Sequence, residues 1–249
     1  MAGKKRSGLA NDRRAYGCGR CYTPTPICPS ITLADIATTN DGINWLLNQD
    51  TTILECQTLE IPAGQELQTN HFTLTNNGTI NVRGTIRNAQ DTLGNNSVTI
   101  NNGTINIFPT GTIVAVNGGS IITNNGIVNN YGDFFCQTYG VVNNNVGGQI
   151  NNYSAYSGGT GGFRLNAAGT LNNVGVFINN TGATIIMTND FTKYGIIYNY
   201  NGGIITNNGD ITNDGIINNA DGSSTCGVGT ITNSGTISGG GISGTACPP

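Results

Sequence analysis

The sequence predicts an all-β chain: a single-stranded parallel β-helix, or β-solenoid, of right-handed sense, preceded by an extended N-terminal arm and a short capping helix. Two observations predict it. A five-residue unit, Asn-(Asn/Asp)-Gly-x-(Ile/Val), returns throughout the body of the chain, and the β-branched residues are spaced between Asn and Gly instead of running together. Gly and Asn each number 38 of 249 residues, yet 37% of the chain is hydrophobic, enough for a sizeable core. Regular apolar spacing distinguishes such a chain from a Gly-rich linker.

Residues 1–30 read as the arm. They hold three Cys and the stretch Thr23-Pro24-Thr25-Pro26-Ile27-Cys28-Pro29, which suits neither a helix nor a central strand. Six of the ten basic residues, Lys4, Lys5, Arg6, Arg13, Arg14 and Arg20, lie in the first twenty positions. That stretch carries +5 against −8 for the remainder. A basic block ahead of an acidic body suits docking to a neighbouring subunit or another acidic surface, and with Cys18, Cys21 and Cys28 it forms the expected assembly arm. Residues 31–66 are expected to supply a cap and lead-in strands. Ile43, Leu46 and Leu47 with Trp45 suggest a short helix over 40–49, capped by Asn40 or Asp41. The alternation from Thr51 to Leu67, divided by Pro62-Ala63-Gly64, reads as two strands and a turn.

Residues 67–249 are the expected solenoid. Clear copies of the unit are Asn76-Asn77-Gly78-Thr79-Ile80, Asn101-Asn102-Gly103-Thr104-Ile105, Asn124-Asn125-Gly126-Ile127-Val128 and Asn213-Asp214-Gly215-Ile216-Ile217. Most steps between the glycines are six to eight residues. So short a unit cannot bury its own apolar side chain, so copies must stack, three to a coil of about 18 to 24 residues. Gly is expected at positive-φ corners, Asn at left-handed positions or bonded to the next coil, and the β-branched residue inside. Variable corner lengths favour the right-handed form over a strict hexapeptide helix. Two stretches break the pattern, Ala89 to Ser97 and Tyr153 to Leu165. Both are expected to be loops, and the second, with Tyr153, Tyr156, Phe163 and Arg164, is the candidate recognition loop.

No catalytic cluster, phosphate loop or metal motif stands out, so the chain reads as a non-enzyme with no cofactor. Cys18-x2-Cys21 is half of a zinc knuckle, but no second pair follows and His71 is the only histidine, so disulfides are the expected use of the seven Cys. Asp210, Asp214 and Asp221 read as turn residues. The five Asn-x-Ser/Thr acceptors, at Asn77, Asn95, Asn102, Asn152 and Asn179, follow from composition alone. No apolar run is long enough for a membrane span, and Met1-Ala2-Gly3-Lys4-Lys5-Arg6 is not followed by the apolar stretch of a secretion signal.

The passage Leu59-Glu60-Ile61-Pro62-Ala63-Gly64-Gln65-Glu66-Leu67, leading into Phe72 and the first Asn76-Asn77-Gly78-Thr79-Ile80 unit, resembles the opening of Asn/Gly-rich pectate-lyase-like β-helix repeat proteins. Such repeats are found in proteins of large double-stranded DNA viruses and in bacterial surface adhesins, and the likeness spans residues 59–245. It implies a β-helix at a virion or extracellular surface. Together with the missing export signal, it points to a capsid-associated or fibre subunit forming homo-oligomers, trimers foremost, or joining other capsid and surface proteins. Nucleic acid is not the expected partner. The alternative it implies is a glycan-binding surface adhesin.

Overall fold

The computed structural model describes residues 28–39, 41–89, 95–155, 161–190, 193–220, 224–226, 230–233 and 235–239. The assembly residues Lys4 to Cys21 and the loop residue Tyr156 lie outside this set. The described chain is a parallel β-solenoid with three flat faces. Each coil visits the faces in turn: the first face begins with Asn44–Leu47, the second with Thr51–Ile53 and the third with Thr58–Ile61. These stacks reach ten, nine and eight strands, so the third face spans seven full turns. At the usual strand spacing the nine-strand second face makes the rod about 38 Å long.

Strand geometry follows from the sequence unit. Strands are mostly four residues long and alternate half-exposed and buried positions, as in Thr79–Val82 and Thr104–Ile107. Ile80 pairs with Ile105, and Ile105 with Val128, so like residues stack on like along the interior. The inner rows run Leu59, Ile80, Ile105, Val128 and Ile150 on the third face and Leu67, Ile86, Ile113 and Phe134 on the first, all fully or nearly fully buried. Where aromatics enter, Phe134, Phe163 and Phe177 interlock edge to face at 5.1 and 4.9 Å between ring centres.

The second inner row of the second face is Asn in coil after coil. Asn76 donates from Nδ2 to Asn101 Oδ1 at 2.7 Å, and the series continues through Asn124, Asn144, Asn173, Asn199 and Asn219. Most of these amides also donate to a backbone carbonyl across the corner, as Asn101 does to Ile127. A second buried ladder joins Asn130, Asn152, Asn179 and Asn207. Up to Asn219, the ladders thereby satisfy the donor and the acceptor of these buried amides, where an unpaired one would be costly. Two further ladders lie outside, Asn77-Asn102-Asn125-Asn145 at a corner and Asn81-Asn106-Asn129-Asn151 on the third face.

The glycine of the unit is required for a reason other than the expected one. Positive φ is absent at Gly78, Gly103 and Gly126. These glycines stack on one another, and a Cβ on Gly103 would run into the Gly78 carbonyl oxygen, just as one on Gly126 would meet Gly103. Close approach of successive coils, not a left-handed corner, excludes a side chain there. Nor are the ladder asparagines left-handed. Positive φ falls at other corner positions: on glycines such as Gly64, Gly119, Gly147, Gly182 and Gly202, as expected of that residue, and between the first and second faces also on Thr138-Tyr139 and Ala167-Ala168.

Other expectations also change. Residues 41–49 form no helix: Asn44–Leu47 is a strand paired in parallel with Glu66–Gln68 and antiparallel with Ala37–Thr39. The edge offered by Glu66–Gln68 outweighs a weak local preference, since Ile43, Leu46 and Leu47 satisfy a helical stripe only at its minimum. The helical turn lies earlier, at Leu33–Ile36, where Leu33 and Ile36 join the end of the core. Stacking therefore begins at Asn44, ahead of Leu67. Inner-ladder steps range from 20 to 29 residues, wider than the expected 18 to 24, because corners vary in length. One excursion was not foreseen, a two-strand hairpin of Asn189–Asp190 and Lys193–Tyr194.

Candidate functional site at an aromatic corner

The corner between the third and first faces holds one residue from each coil directly after the strand. In four successive coils it is Arg83, Phe108, Tyr131 and Tyr153, each donating its amide to the last strand residue of the preceding coil. The parallel register Val82, Ile107, Asn130, Asn152 aligns these positions, so their side chains form one outer column. The Arg83 guanidinium lies 4.0 Å from the centre of the Phe108 ring and binds Glu60 at 2.5 Å. Tyr131 and Tyr153 stack at 4.6 Å with their planes 6° apart. They remain 45% and 42% exposed, among the most exposed large side chains of the described chain.

The tyrosine pair borders a surface groove of about 550 Å³, whose other walls include Pro109, Thr110, Asp133, Ser154 and Gly161. Asp133 is nearly buried and bound by Arg164, whose Nε approaches Oδ1 at 2.9 Å. Arg164 in turn lies 4.1 Å over the Phe135 ring. Ser154 Oγ accepts the Gly162 amide at 3.0 Å, so the groove floor is held by the returning strand Gly162–Asn166.

The expected recognition loop is thus only partly a site. Tyr153 reaches the groove. Phe163 does not: strand alternation in Gly162–Asn166 turns it into the core, where it is fully buried between Phe134 and Phe177. Arg164, one residue on, faces out but is committed to Asp133 and Phe135. Tyr131 lies outside the expected loop and joins the site through the repeat: Asn129-Asn130-Tyr131 and Asn151-Asn152-Tyr153 are the same tripeptide at the same place in successive coils.

The cysteines divide. Cys28 is bonded to Cys56 within the chain, so it is not available to a neighbouring subunit. Cys136 lies inside the core row between Ala115 and Leu165, and burial pushes its thiol up to about 12. It stays a neutral thiol at physiological pH and is no nucleophile. Several carboxylates of the first coils are engaged structurally: Glu66 binds Arg87 at 2.8 Å, and Asp41 and Asp35 close turns near the helical turn. Two glycosylation acceptors, Asn152 and Asn179, are fully buried ladder members, out of reach of any modifying group.

No protein-family model matches the chain, and no curated protein matches its sequence. Among solved structures it is similar to a TibC-catalysed, hyper-glycosylated TibA fragment of residues 55–350. That likeness has 16% identity over 79% of this chain and 94% of the other, with a TM-score of 0.22. The superposition is too loose to bear on function.

Proposed function

We propose that this chain is a non-catalytic structural rod of a virion or extracellular surface, a fibre or capsid-associated subunit that assembles with copies of itself. The observation that carries this reading is the inner Asn ladder, unbroken from Asn76 to Asn219. Every coil is tied to the next by side chains as well as backbone, which is what a stiff display element requires and what a catalytic cleft does not. The engagement of Glu60, Glu66 and Asp133 in ion pairs supports the same view, since an acid–base pair needs carboxylates left to the substrate. Assembly uses the basic segment 1–20 and the rod surface. Light scattering on the full chain and on a variant lacking residues 1–27, each with and without reductant, tests it. An oligomer is expected; a monomer under all four conditions overturns the reading.

The tyrosine groove favours a second reading, a surface module that binds glycans. Paired exposed aromatic rings beside buried polar groups are the chemistry that recognises a pyranose. Binding on a glycan array that disappears in Tyr153→Ala and Tyr131→Ala supports it; an array without hits removes it.

A further inference from the structure

The three faces differ in what they show to solvent. On the first, outward positions include Glu66, Arg87, Asp133, Arg164 and Asp210. The third has Glu60 at its start, the hydrogen-bonded amides of the Asn81–Asn151 ladder along half its length, and separate outward isoleucines, Ile127 and Ile204, that are 41% and 38% exposed. The second differs in the continuity of its apolar row. From Thr73 to Ser238 no outward position of its strands is charged, and one outward row presents Val98, Ile121, Val141, Ile196 and Ile216, aligned by parallel register. All five are half-buried, and Thr170 completes the row between Val141 and Ile196. Its borders carry further apolar surface: Val146 is 80% exposed and Tyr200 44% on one side, and Tyr139 and Tyr194 stand on the other. Lys193 sits over the Tyr139 ring at that border, outside the face itself.

We infer that this second face docks a second copy of the chain, face to face and antiparallel about a twofold axis. The inference rests on the structural-rod reading and specifies which surface does the assembling. Charge selects the occupant. Residues 21–249 carry −8, which disfavours close approach of two copies in general, and this face lets them touch without setting charge against like charge. Shape selects the symmetry, because a flat row of β-branched residues is complementary to itself reversed, the requirement for an isologous contact. Such a contact closes at two copies, not three.

Area sets the strength. Eight strand spacings by four residues give about 500 Å² per copy, or roughly 1,000 Å² in all, the lower limit for a specific interface. The dimer is therefore expected to be concentration-dependent, in the micromolar range. Midway along the row, Val141 lies beside the axis, so its counterpart on the second copy is close.

Val141→Lys and Val141→Glu test this on the full chain, with sedimentation velocity as the readout and circular dichroism to verify the fold. Each variant alone brings two like charges together and is expected to weaken dimerisation by at least about tenfold. Mixing the two restores the dimer, because opposite charges now meet. Thr104→Lys, on the third face, leaves it unchanged. An oligomer indifferent to both Val141 substitutions overturns the inference while leaving the structural-rod reading intact. A wild-type monomer at up to about 200 μM overturns both, since an interface this size is populated well below that concentration. Dimers that form only after removal of residues 1–27 also overturn it, by showing that the arm covers the face.

Discussion

Asn124 and Asn125 are neighbours in one repeat unit and have unequal roles. Asn124 is fully buried, accepts from Asn101 and donates to Asn144 and the Gln149 carbonyl. Asn125 makes similar ladder bonds in view of water. Replacing Asn124 with Ala leaves polar groups in two coils without partners and a cavity between them, for an expected loss of about 3 kcal/mol. Asn125→Ala loses exposed bonds that water replaces, at about 0.5 kcal/mol. Urea denaturation of the two variants checks the contrast; equal losses would mean that the buried ladder is no more than spacing. Sequence alone could not rank them, since both read as Asn before Gly, and which one turns inward depends on the phase of the strand. The same one-residue phase put Phe163 in the core and Arg164 on the surface.

At the scale of the element, the turn joining Ala37–Thr39 to Asn44–Leu47 hangs on one carboxylate. Asp41 accepts the backbone amides of Asn44 at 2.7 Å and Ile43 at 2.8 Å and the Asn44 side chain at 2.6 Å. These donors, Asn44 first, hold its pKa well below the usual carboxylate range. A depressed pKa gives stability that is complete above the unfolded value and declines as pH falls through the folded one. The turn is thus expected to keep its amide protection from neutral pH to about pH 4 and to lose it on further acidification. Hydrogen exchange at Ile43 and Asn44 reads this directly, and Asp41→Ala should lack both the protection and its pH dependence. This segment was also the least legible in sequence. Its four apolar residues fit a helix or a strand, and the choice was made by a sheet edge twenty residues further on. Where the repeat unit is regular, strands and inner rows could be read residue by residue, because neighbouring copies supply the same edge each time. The tyrosine corner was half legible: Tyr153 stood in an obvious break, whereas Tyr131 sat inside a regular unit.

For the whole molecule, the two ends of the rod are held differently. Near the start, the Cys28–Cys56 bond closes a 28-residue separation and ties the chain ahead of the helical turn to the corner of the first coil. Losing that cross-link through Cys56→Ser is expected to lower stability by about 3 kcal/mol, read from chemical denaturation. An effect below ~1 kcal/mol would mean the first coils hold their place without it. At the other end the inner ladder finishes at Asn219, whose Nδ2 is buried without an acceptor; the next residue in register is Gly239, which has no amide to offer. Stability built from nearest-neighbour stacking therefore falls toward the last coils.

That difference gives the rod a mechanical polarity. Hydrogen bonds between coils lie along its axis, so tension applied squarely to both ends stretches all three sheets and the ladders at once. Tension applied to the last strand instead unwinds one coil at a time, and each release presents the next edge to the same force. Pulled from the late end, the chain should pay out in small steps of a coil each at low force. Under a pull from the early end, the Cys28–Cys56 bond passes the load straight to the corner of the first coil, so residues 28–56 cannot peel and the first yielding should come at a higher force.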